Sequence, residues 1–184
     1  PTGINVIEYI TIAAAGNAVD FGDLTENQCQ QASCSSSTRG FSAAGYSGGL
    51  QTNTICFVTI STLGNAADFG DLITTDREPS ASSNAIRGVW AGGYSTSVIE
   101  FITLSTLGNA QDFGDLTQHR GFLQAASSST RGTFAGGIHS GPQTFDNIID
   151  YITIMSTGNA IDFGDLVGGG GRNGAGCSNG HGGL

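Results

Sequence analysis

The sequence contains no lysine, only three prolines, one methionine and one tryptophan, and no long apolar run. Its six basic residues are all arginine and face 15 acidic residues, which gives a net charge of −9 at pH 7. Because nucleic-acid binding relies on basic side chains that neutralise phosphates, this charge argues against a nucleic-acid partner, and it is unfavourable for anionic membrane surfaces. No apolar run approaches the roughly 18 residues of a transmembrane helix, so membrane insertion is not expected.

Glycine and a repeated pentapeptide dominate what is present. Thirty of the 184 residues are glycine, and 38% of the chain is apolar and strongly patterned, without any helix-favouring window. The pentapeptide Asp-Phe-Gly-Asp-Leu, called the motif below, occurs four times, at residues 20–24, 68–72, 112–116 and 162–166. Such self-similarity indicates a repeat protein, and this length fits one all-β domain spanning residues 1–184.

Each repeat reads as four short strands, which we label a to d. Strand c is rich in β-branched and aromatic residues and covers 6–12, 55–60, 98–104 and 148–154. Gly-Asn-Ala follows, at Gly16, Gly64, Gly108 and Gly158, and predicts a hairpin reversal into strand d, which is the motif itself. The glycine inside the motif indicates a bulge or a close backbone approach. Strand a covers 31–35, 82–85 and 124–127, and strand b begins with Arg-Gly at Arg39, Arg87 and Arg131. Four strands per unit is the blade pattern of a β-propeller.

The spacing inside the repeat is constant except at one position. Leu24 to Arg39, Leu72 to Arg87 and Leu116 to Arg131 are each 15 residues, whereas successive motifs begin 48, 44 and 50 residues apart. The variation lies between strands b and c, so one face of the array carries loops of variable length, as binding faces of repeat proteins often do. The candidate contact residues in these loops are Ser47, Gln51, Asn53, Ser95, Ser97, His139, Gln143 and Asn147.

The same spacing predicts how the array closes. Fifteen residues after Leu166 stands His181, followed by Gly182, in the place of Arg-Gly. The C-terminal segment therefore reads as a fourth strand a and the start of a strand b, while the chain begins just before a strand c. We expect residues 1–28 and 167–184 to form one blade together, which closes a small four-bladed propeller.

The order of Arg131, Ala135-Gly136-Gly137, Tyr151 and Phe163 resembles the kelch repeat, with phenylalanine where that family usually closes with tryptophan and four units rather than six or seven. The Gly-Asn-Ala…motif unit, the Ser-Ser-Ser-Thr-Arg-Gly segment and the Cys-Ser-Asn-Gly-His-Gly-Gly-Leu ending are similar to kelch-like repeats of environmental and marine bacteriophage structural or tail-fibre-like proteins. The resemblance implies a virion or extracellular location and a structural or adhesion role. The expected partners are further copies, other virion or fibre proteins, or a cell-surface glycan or protein. Two alternatives stay open, a self-assembling filament subunit and a stand-alone glycan-binding lectin.

Eight acidic residues lie in the motifs: Asp20, Asp23, Asp68, Asp71, Asp112, Asp115, Asp162 and Asp165. We expect them to accept hydrogen bonds from turn amides or to pair with Arg39, Arg87 and Arg131, with Ca²⁺ binding as the alternative. The motif phenylalanines, namely Phe21, Phe69, Phe113 and Phe163, and the single Trp90 are expected to fill the core, with a ligand platform as the alternative for Trp90.

Catalysis is not expected, because catalytic acids need different environments whereas these aspartates recur in equivalent ones. The chain has no nucleophile elbow, no zinc-protease motif and no phosphate-binding loop, and no cofactor is expected. Its cysteines fall at different repeat positions, so we expect free thiols, with one disulfide as the alternative. They are Cys29, Cys34, Cys56 and Cys177.

Overall fold

The computed structural model describes residues 3–139, 144–168, 170–172 and 174–177, and every regular element within these ranges is a β-strand. The strands are β1 (Ile4–Tyr9), β2 (Val19–Gln28), β3 (Ala32–Ser35), β4 (Arg39–Ala43), β5 (Tyr46–Ser47), β6 (Leu50–Gln51), β7 (Thr54–Thr59), β8 (Ala67–Asp71), β9 (Ser80–Ser83), β10 (Arg87–Ala91), β11 (Val98–Thr103), β12 (Gln111–Asp115), β13 (Gln124–Ser127), β14 (Arg131–Ala135), β15 (Ile148–Thr153) and β16 (Ile161–Asp165). The predicted all-β class is confirmed. No helix in the described ranges has the length and apolar character needed to cross a membrane.

The strands form three antiparallel four-stranded sheets of the same order. The first full sheet is β3-β4-β7-β8, the second is β9-β10-β11-β12 and the third is β13-β14-β15-β16. Each contains the predicted strands a, b, c and d in that spatial order. The N-terminal sheet contains only β1 and β2, which are a strand c and a strand d, and β5-β6 is a small hairpin inside the first variable loop.

The three full sheets share one pairing register. The arginine that opens strand b lies opposite the threonine near the end of strand c in each, as Arg87 does opposite Thr103. In the pairing of strand c with strand d, the register shifts by one residue, because the motif phenylalanine is skipped and has no partner in strand c. The bulge predicted from the motif glycine is therefore confirmed.

The predicted hairpin reversal at Gly-Asn-Ala is wrong in position. The chain turns earlier, where the Thr106 amide donates to the Thr103 carbonyl (3.1 Å), and the corresponding bonds follow β7 and β15. Gly108 has a φ of 146°, whereas Asn109 is not in the left-handed region. Gly-Asn-Ala is instead held by the neighbouring sheet, as described below.

The apolar core lies between sheets rather than within one. One cluster joins Phe41 and Phe69 of the first full sheet to Trp90 and Leu104 of the second, and an equivalent cluster joins the second to the third. The Trp90 indole Nε1–H donates to the Ala32 carbonyl across this boundary (3.2 Å). The expectation that Trp90 fills the core is confirmed, and no sheet can bury its apolar face without a neighbour.

The described sheets contact one another in chain order, and we call them an open row because no joint forms at Phe163 among the described residues; none of the sheets closes on itself. Residues 174–177 belong to no strand, while His181, Gly182 and the rest of 178–184 lie outside the described residues. The predicted four-bladed closure through 1–28 and 167–184 therefore stays a prediction.

Candidate functional site: the joints between sheets and the loop edge

Neighbouring sheets are connected by a repeated contact, which we call the inter-sheet joint. It forms between Phe-Gly-Asp of one sheet's motif and Gly-Asn-Ala of the next sheet. Between the second and third full sheets, Gly158 N–H donates to Phe113 O (2.7 Å) and Ala160 N–H donates to Asp115 O (2.8 Å). The Asp115 amide in turn donates to Oδ1 of Asn159 (3.1 Å). The same three bonds recur at Phe21 and Asp23 with residues 64–66, and at Phe69 and Asp71 with residues 108–110.

The motif glycine is required by the closeness of this contact. A Cβ placed on Gly114 would lie 2.5 Å from the Gly158 carbonyl carbon, and Gly22 and Gly70 face the same obstruction. Gly114 also has a φ of 142°, which side chains rarely adopt. The adjacent Phe113 is only 3% exposed, within the cluster that contains Ala160. The motif is therefore a docking element for the next sheet as well as a strand.

A buried acid on strand c forms a second contact between sheets. Asp150 accepts hydrogen bonds from the Thr117 amide (3.2 Å) and hydroxyl (2.7 Å), and it pairs with Arg120 (2.6 Å), whose side chain is fully buried as its own is. In the preceding sheet, Glu100 receives the amides and hydroxyl of residues 73–74 in the same way. These acids cap the segment that follows the previous motif. Neither acid was predicted as a contact residue from the sequence, although an acidic residue inside an otherwise apolar strand could have indicated it.

The strand-b arginines make a third contact between sheets. Arg39 Nη1 donates to the Leu104 carbonyl, and Arg87 Nη1 donates to the Ile154 carbonyl, both at 3.0 Å. Each guanidinium also lies over an aromatic ring of its own strand c, as Arg87 does over Phe101 at 4.2 Å. Among the described residues no ion pair joins these arginines to a motif aspartate, so the expected pairing is replaced by carbonyl and ring contacts.

The hydrogen bonds of the motif carboxylates include those from the Ser97 hydroxyl to Asp115 and from the Gly164 amide to Asp162.

The third full sheet carries the motif half of a joint at Phe163 and Gly164, and no Gly-Asn-Ala segment lies beside it among the described residues. Phe163 is 59% exposed, in contrast to the buried motif phenylalanines of the other sheets, and a Cβ on Gly164 meets no described residue within 4 Å. Arg131 is also exposed and lies over its own Tyr151 ring at 5.0 Å. The prediction that all four motif phenylalanines are core is therefore confirmed for three and wrong for Phe163 in this open row.

The N-terminal sheet carries the Gly-Asn-Ala half of a joint, at Gly16, Asn17 and Ala18. In the part of the chain that the structure describes, a Cβ on Gly16 meets nothing within 4 Å, and Asn17 and Ala18 are exposed. Ile12, which occupies the position of Ile154, is 96% exposed, and Glu8, which occupies the position of Asp150, is exposed as well. The two ends of the row therefore present complementary halves of the same set of contacts.

The first two variable loops are held together by the buried carboxylate of Asp76. Its Oδ1 accepts from the Gln51 amide group (3.1 Å), and its Oδ2 accepts from the amide and hydroxyl of Ser95 (3.1 and 3.2 Å). The next residue, Arg77, lies over Tyr94 at 4.2 Å and near Tyr46 at 5.7 Å. Two of the predicted contact loops therefore meet at one polar, aromatic surface.

The remaining predicted contact residues are placed as follows: Ser47 lies in β5, Asn53 donates to the Leu72 carbonyl, Ser97 donates to Asp115, His139 pairs with Asp146 at 2.6 Å, Asn147 accepts from the Leu166 amide, and Gln143 lies outside the described residues.

A cavity of about 220 Å³ lies between the segments that lead into strands a, with Gln30, Glu78, Phe122 and Leu123 in its lining. Gln30 Nε2 donates to Glu78 Oε1 (2.5 Å), and burial raises the pKa of this carboxyl group. Its Oε2 has no hydrogen-bond partner among the described residues. A buried acid with an unpaired oxygen therefore lies beside the Phe122 ring, over which Arg172 lies at 5.8 Å.

The described ranges contain no group of three or more side chains that could hold a metal ion. Cys29, Cys34, Cys56 and Cys177 are all free thiols, and burial raises the pKa of Cys34 and of Cys56. No known family model matches the chain, and no curated protein matches its sequence. The proposals below therefore rest on the geometry and on the sequence repeat.

Proposed function

We propose that this protein is a non-enzymatic structural subunit that joins end to end with further copies and so builds a fibre, either in a virion or as an extracellular filament. The observation that carries the proposal is the complementarity of the two ends. The motif half at Phe163 and Gly164 faces outward at one end, and the Gly16-Asn17-Ala18 half is exposed at the other.

The internal joints supply the geometry of the contact between copies. At an end-to-end joint, Gly16 and Ala18 of the incoming copy would donate to the carbonyls of Phe163 and Asp165, as Gly158 and Ala160 do to the preceding sheet. Glu8 would cap the segment after the motif, and Arg131 would reach the carbonyl of Ile12. Every one of these groups already lies at the right repeat position on an exposed end of the row.

The size of the joint indicates a weak, reversible contact. Three hydrogen bonds at about 1 kcal/mol each, with burial of one phenylalanine at about 1.5–3 kcal/mol, give about 5 kcal/mol. Association costs about 4 kcal/mol or more in lost translational and rotational freedom, so the joint by itself is close to balance. A stable fibre therefore needs the contacts of Glu8 and Arg131 and further buried surface.

The same contacts allow a second form, in which the two halves meet within one chain. That form is the closed four-bladed, kelch-like propeller expected from the sequence, and the high effective concentration of a chain's own ends favours it if the geometry permits. Among the described residues the two halves make no joint, since Phe163 and Ile12 are both exposed. We therefore place the joint between copies and treat closure as the competing outcome.

Light scattering after size exclusion, with negative-stain imaging, tests the proposal on the intact chain and on Gly164→Ala. A Cβ at Gly164 touches nothing within the described part of its own chain, but in a joint it would meet the incoming Gly16 as a Cβ on Gly114 would meet Gly158. The matched control is Gly48→Ala, since Gly48 has a positive φ and open space in the first variable loop.

Concentration-dependent polymers of the intact chain and the control, with monomers of Gly164→Ala, are the expected result. A compact monomer at every concentration would show closure within one chain, and polymers unaffected by Gly164→Ala would show that another surface makes the contact.

Assembly through the sheet ends leaves the loop edge exposed along the fibre. The Tyr46, Arg77 and Tyr94 surface would then be repeated once per copy, which suits adhesion to another fibre protein or to a cell-surface glycan. Repetition raises avidity without any new contact.

A second candidate function, glycan binding by the chain alone, is favoured by the cavity at Glu78. Binding would require a side-chain shift that uncovers Glu78 Oε2 for a sugar hydroxyl and moves Arg172 from the Phe122 ring, on which the apolar face of the sugar would then pack. A glycan array with Glu78→Gln as the control tests it, because binding that survives this substitution, or no binding, would remove the cavity as a lectin site.

A further inference from the structure

Arg77 carries a positive charge that the fold does not pair. Its guanidinium lies over the Tyr94 ring at 4.2 Å and near the Tyr46 ring at 5.7 Å. No ion pair or hydrogen bond joins this side chain to another described residue, and its Nε is buried without a partner. Nη1 and Nη2 are not among the buried atoms that lack a partner, so both remain accessible to solvent. Because a guanidinium donates in pairs to carboxylates, Arg77 has free donors for an anion from outside the chain.

The other repeats show that the fold does not need an arginine at this position. The Arg77 carbonyl accepts a hydrogen bond from the Tyr94 amide (3.0 Å), and the same main-chain pairing occurs at Cys29 and at Gly121. Cysteine and glycine satisfy the pairing because only backbone atoms take part in it. The arginines that begin the first two strands b, in contrast, bond to carbonyls of the next sheet. The side chain of Arg77 is therefore an addition to the repeat rather than a part of it.

Asp76 fixes the position of Arg77 and of the two loops beside it. Its carboxylate is 3% exposed and accepts hydrogen bonds from Gln51, from Ser95 and from the amide of Arg77 itself (2.7 Å). It also packs tightly against the backbone, since a Cβ on Gly93 would lie 2.6 Å from Oδ2 of Asp76. The carboxylate is therefore occupied by other donors, and the surface around the guanidinium is ordered before a ligand arrives. Such preorganisation lowers the entropic cost of binding.

The charges around Arg77 decide which anions suit it. Asp76 precedes it and Glu78 follows it, and the pKa of Glu78 is raised by burial although the charge of Arg77 lowers it in part. The chain as a whole has a net charge of −9 at pH 7. A ligand with several negative charges would therefore be repelled. A ligand with a single carboxylate keeps the short-range gain of two charge-assisted hydrogen bonds.

The surroundings of the guanidinium favour a sugar acid over an acidic peptide. Tyr46 and Tyr94 offer phenol hydroxyls together with apolar ring carbons, and the exposed Ser95 adds a hydroxyl oxygen. A sugar presents hydroxyls and C–H groups that match both kinds of contact. Extended peptides bind instead by adding to a free strand edge. Here the Tyr46 amide already donates to Cys29 O (2.8 Å) and the Tyr94 amide to Arg77 O, so these amides offer no such edge.

We propose that Tyr46, Arg77 and Tyr94 form a binding site for a carboxylate-bearing sugar, of the uronic-acid or sialic-acid type. Nη1 and Nη2 of Arg77 donate to the carboxylate, and the phenol and Ser95 hydroxyls bond to hydroxyls of the sugar. The inference deepens the adhesion role given above by naming its ligand class. It rests on fibre assembly only for the repetition of the site, because all of these side chains belong to one copy.

Ligand-observed NMR titration of the intact chain with glucuronic acid tests the site, and the methyl ester of glucuronic acid is the neutral match. The acid should bind at least about tenfold more tightly than the ester, because hydrogen bonds to the ionised group are lost in the ester. This comparison needs no substitution and so carries no risk of misfolding. Equal affinities for the acid and the ester would overturn the proposal.

Arg77→Gln should weaken binding of the acid by at least about tenfold, while the emission of the buried Trp90 stays that of the folded chain. The matched control is Arg172→Gln, which removes the same charge from an exposed arginine that lies over the Phe122 ring at 5.8 Å. It should bind the acid as the intact chain does. Equal losses in both variants would show a general charge effect, and a loss in Arg172→Gln alone would move the site away from Arg77. Either result overturns the proposal.

Two further measurements separate the alternatives. A glycan array with uronic-acid, sialic-acid and neutral termini distinguishes the two sources of the carboxylate, and retention of only the neutral glycans would contradict the site. An acetylated and amidated Gly-Glu-Gly peptide that binds as tightly as glucuronic acid would show that the partner is a protein. The Gly164→Ala chain should bind the acid as the intact chain does, so loss of polymers with retained binding, or the reverse, tells the failure of one proposal from that of the other.

Discussion

The substitution of one motif glycine by alanine should depend strongly on which copy of the motif is changed. Gly114 and Gly164 occupy the same position in β12 and β16, with φ values of 142° and 135°. The backbone strain of adding a Cβ is therefore nearly the same at both, about 1–2 kcal/mol. Only Gly114 lies inside a joint, where its Cβ would be 2.5 Å from the Gly158 carbonyl carbon.

The difference in unfolding free energy between Gly114→Ala and Gly164→Ala measures the contribution of the inter-sheet joint to stability. Opening it forfeits two backbone hydrogen bonds and the bond to Asn159, about 3 kcal/mol in total. If Phe113 becomes as exposed to solvent as Phe163 is, the lost burial of its side chain adds about 1 kcal/mol or more to the destabilisation. We expect Gly114→Ala to destabilise the chain by about 4 kcal/mol more than Gly164→Ala does, which is a shift of about 2 M in the urea midpoint for a slope of about 2 kcal/mol/M.

Urea unfolding followed by the fluorescence of the buried Trp90, at concentrations low enough for monomers, gives both midpoints. Equal midpoints for Gly114→Ala and Gly164→Ala would refute the reasoning, because the joint would then contribute nothing that strain alone does not. A larger loss for Gly164→Ala would show that β16 is also covered within the monomer.

Three further substitutions or conditions test individual groups. Arg120→Met should cost about 3–5 kcal/mol in a urea titration by leaving the Asp150 carboxylate buried without its partner, and Arg120→Met combined with Asp150→Ala should recover part of this loss. Burial raises the pKa of Glu78 in the folded chain. The stabilising contribution of its protonated carboxyl group is therefore present below the ordinary glutamate pKa and is lost as pH rises through the raised pKa. The urea midpoint of the native chain should therefore fall relative to Glu78→Gln over that interval, and parallel pH curves would contradict this. Iodoacetamide followed by mass spectrometry should label the exposed Cys177 well before the buried Cys56, whose thiol pKa is raised by burial, and equal labelling rates would show that the sheet opens readily.

Much of the local structure could be predicted from the repeat. Each full sheet's strand b begins at the arginine that the constant spacing marks, and strand c begins within one residue of the predicted start in each. The motif glycine was correctly associated with a bulge and a close approach. These predictions succeed because strand patterning, turn chemistry and repeat length are properties of neighbouring residues.

The contacts between sheets were predicted poorly. Gly-Asn-Ala suggested a reversal because both glycine and asparagine favour turns, yet its amides bond to a motif about 40 residues earlier, as Gly108 N–H does to Phe69 O. The arginine of strand b suggested an ion pair, but its guanidinium reaches a carbonyl of the next sheet. The partner in each case lies in another repeat, and the period of the sequence does not identify which groups face each other across that boundary.

The sequence by itself determined the β class, the four-strand unit, the number of motifs and the one loop position whose length varies. The tertiary structure decided the role of the motif, because the buried Phe113 and the exposed Phe163 stand in nearly identical local sequences and differ only in whether a neighbouring sheet is present. Burial and hydrogen bonding depend on what lies beside a residue in space. The same five residues therefore lie in the interior where a sheet follows and at the surface where the described row ends.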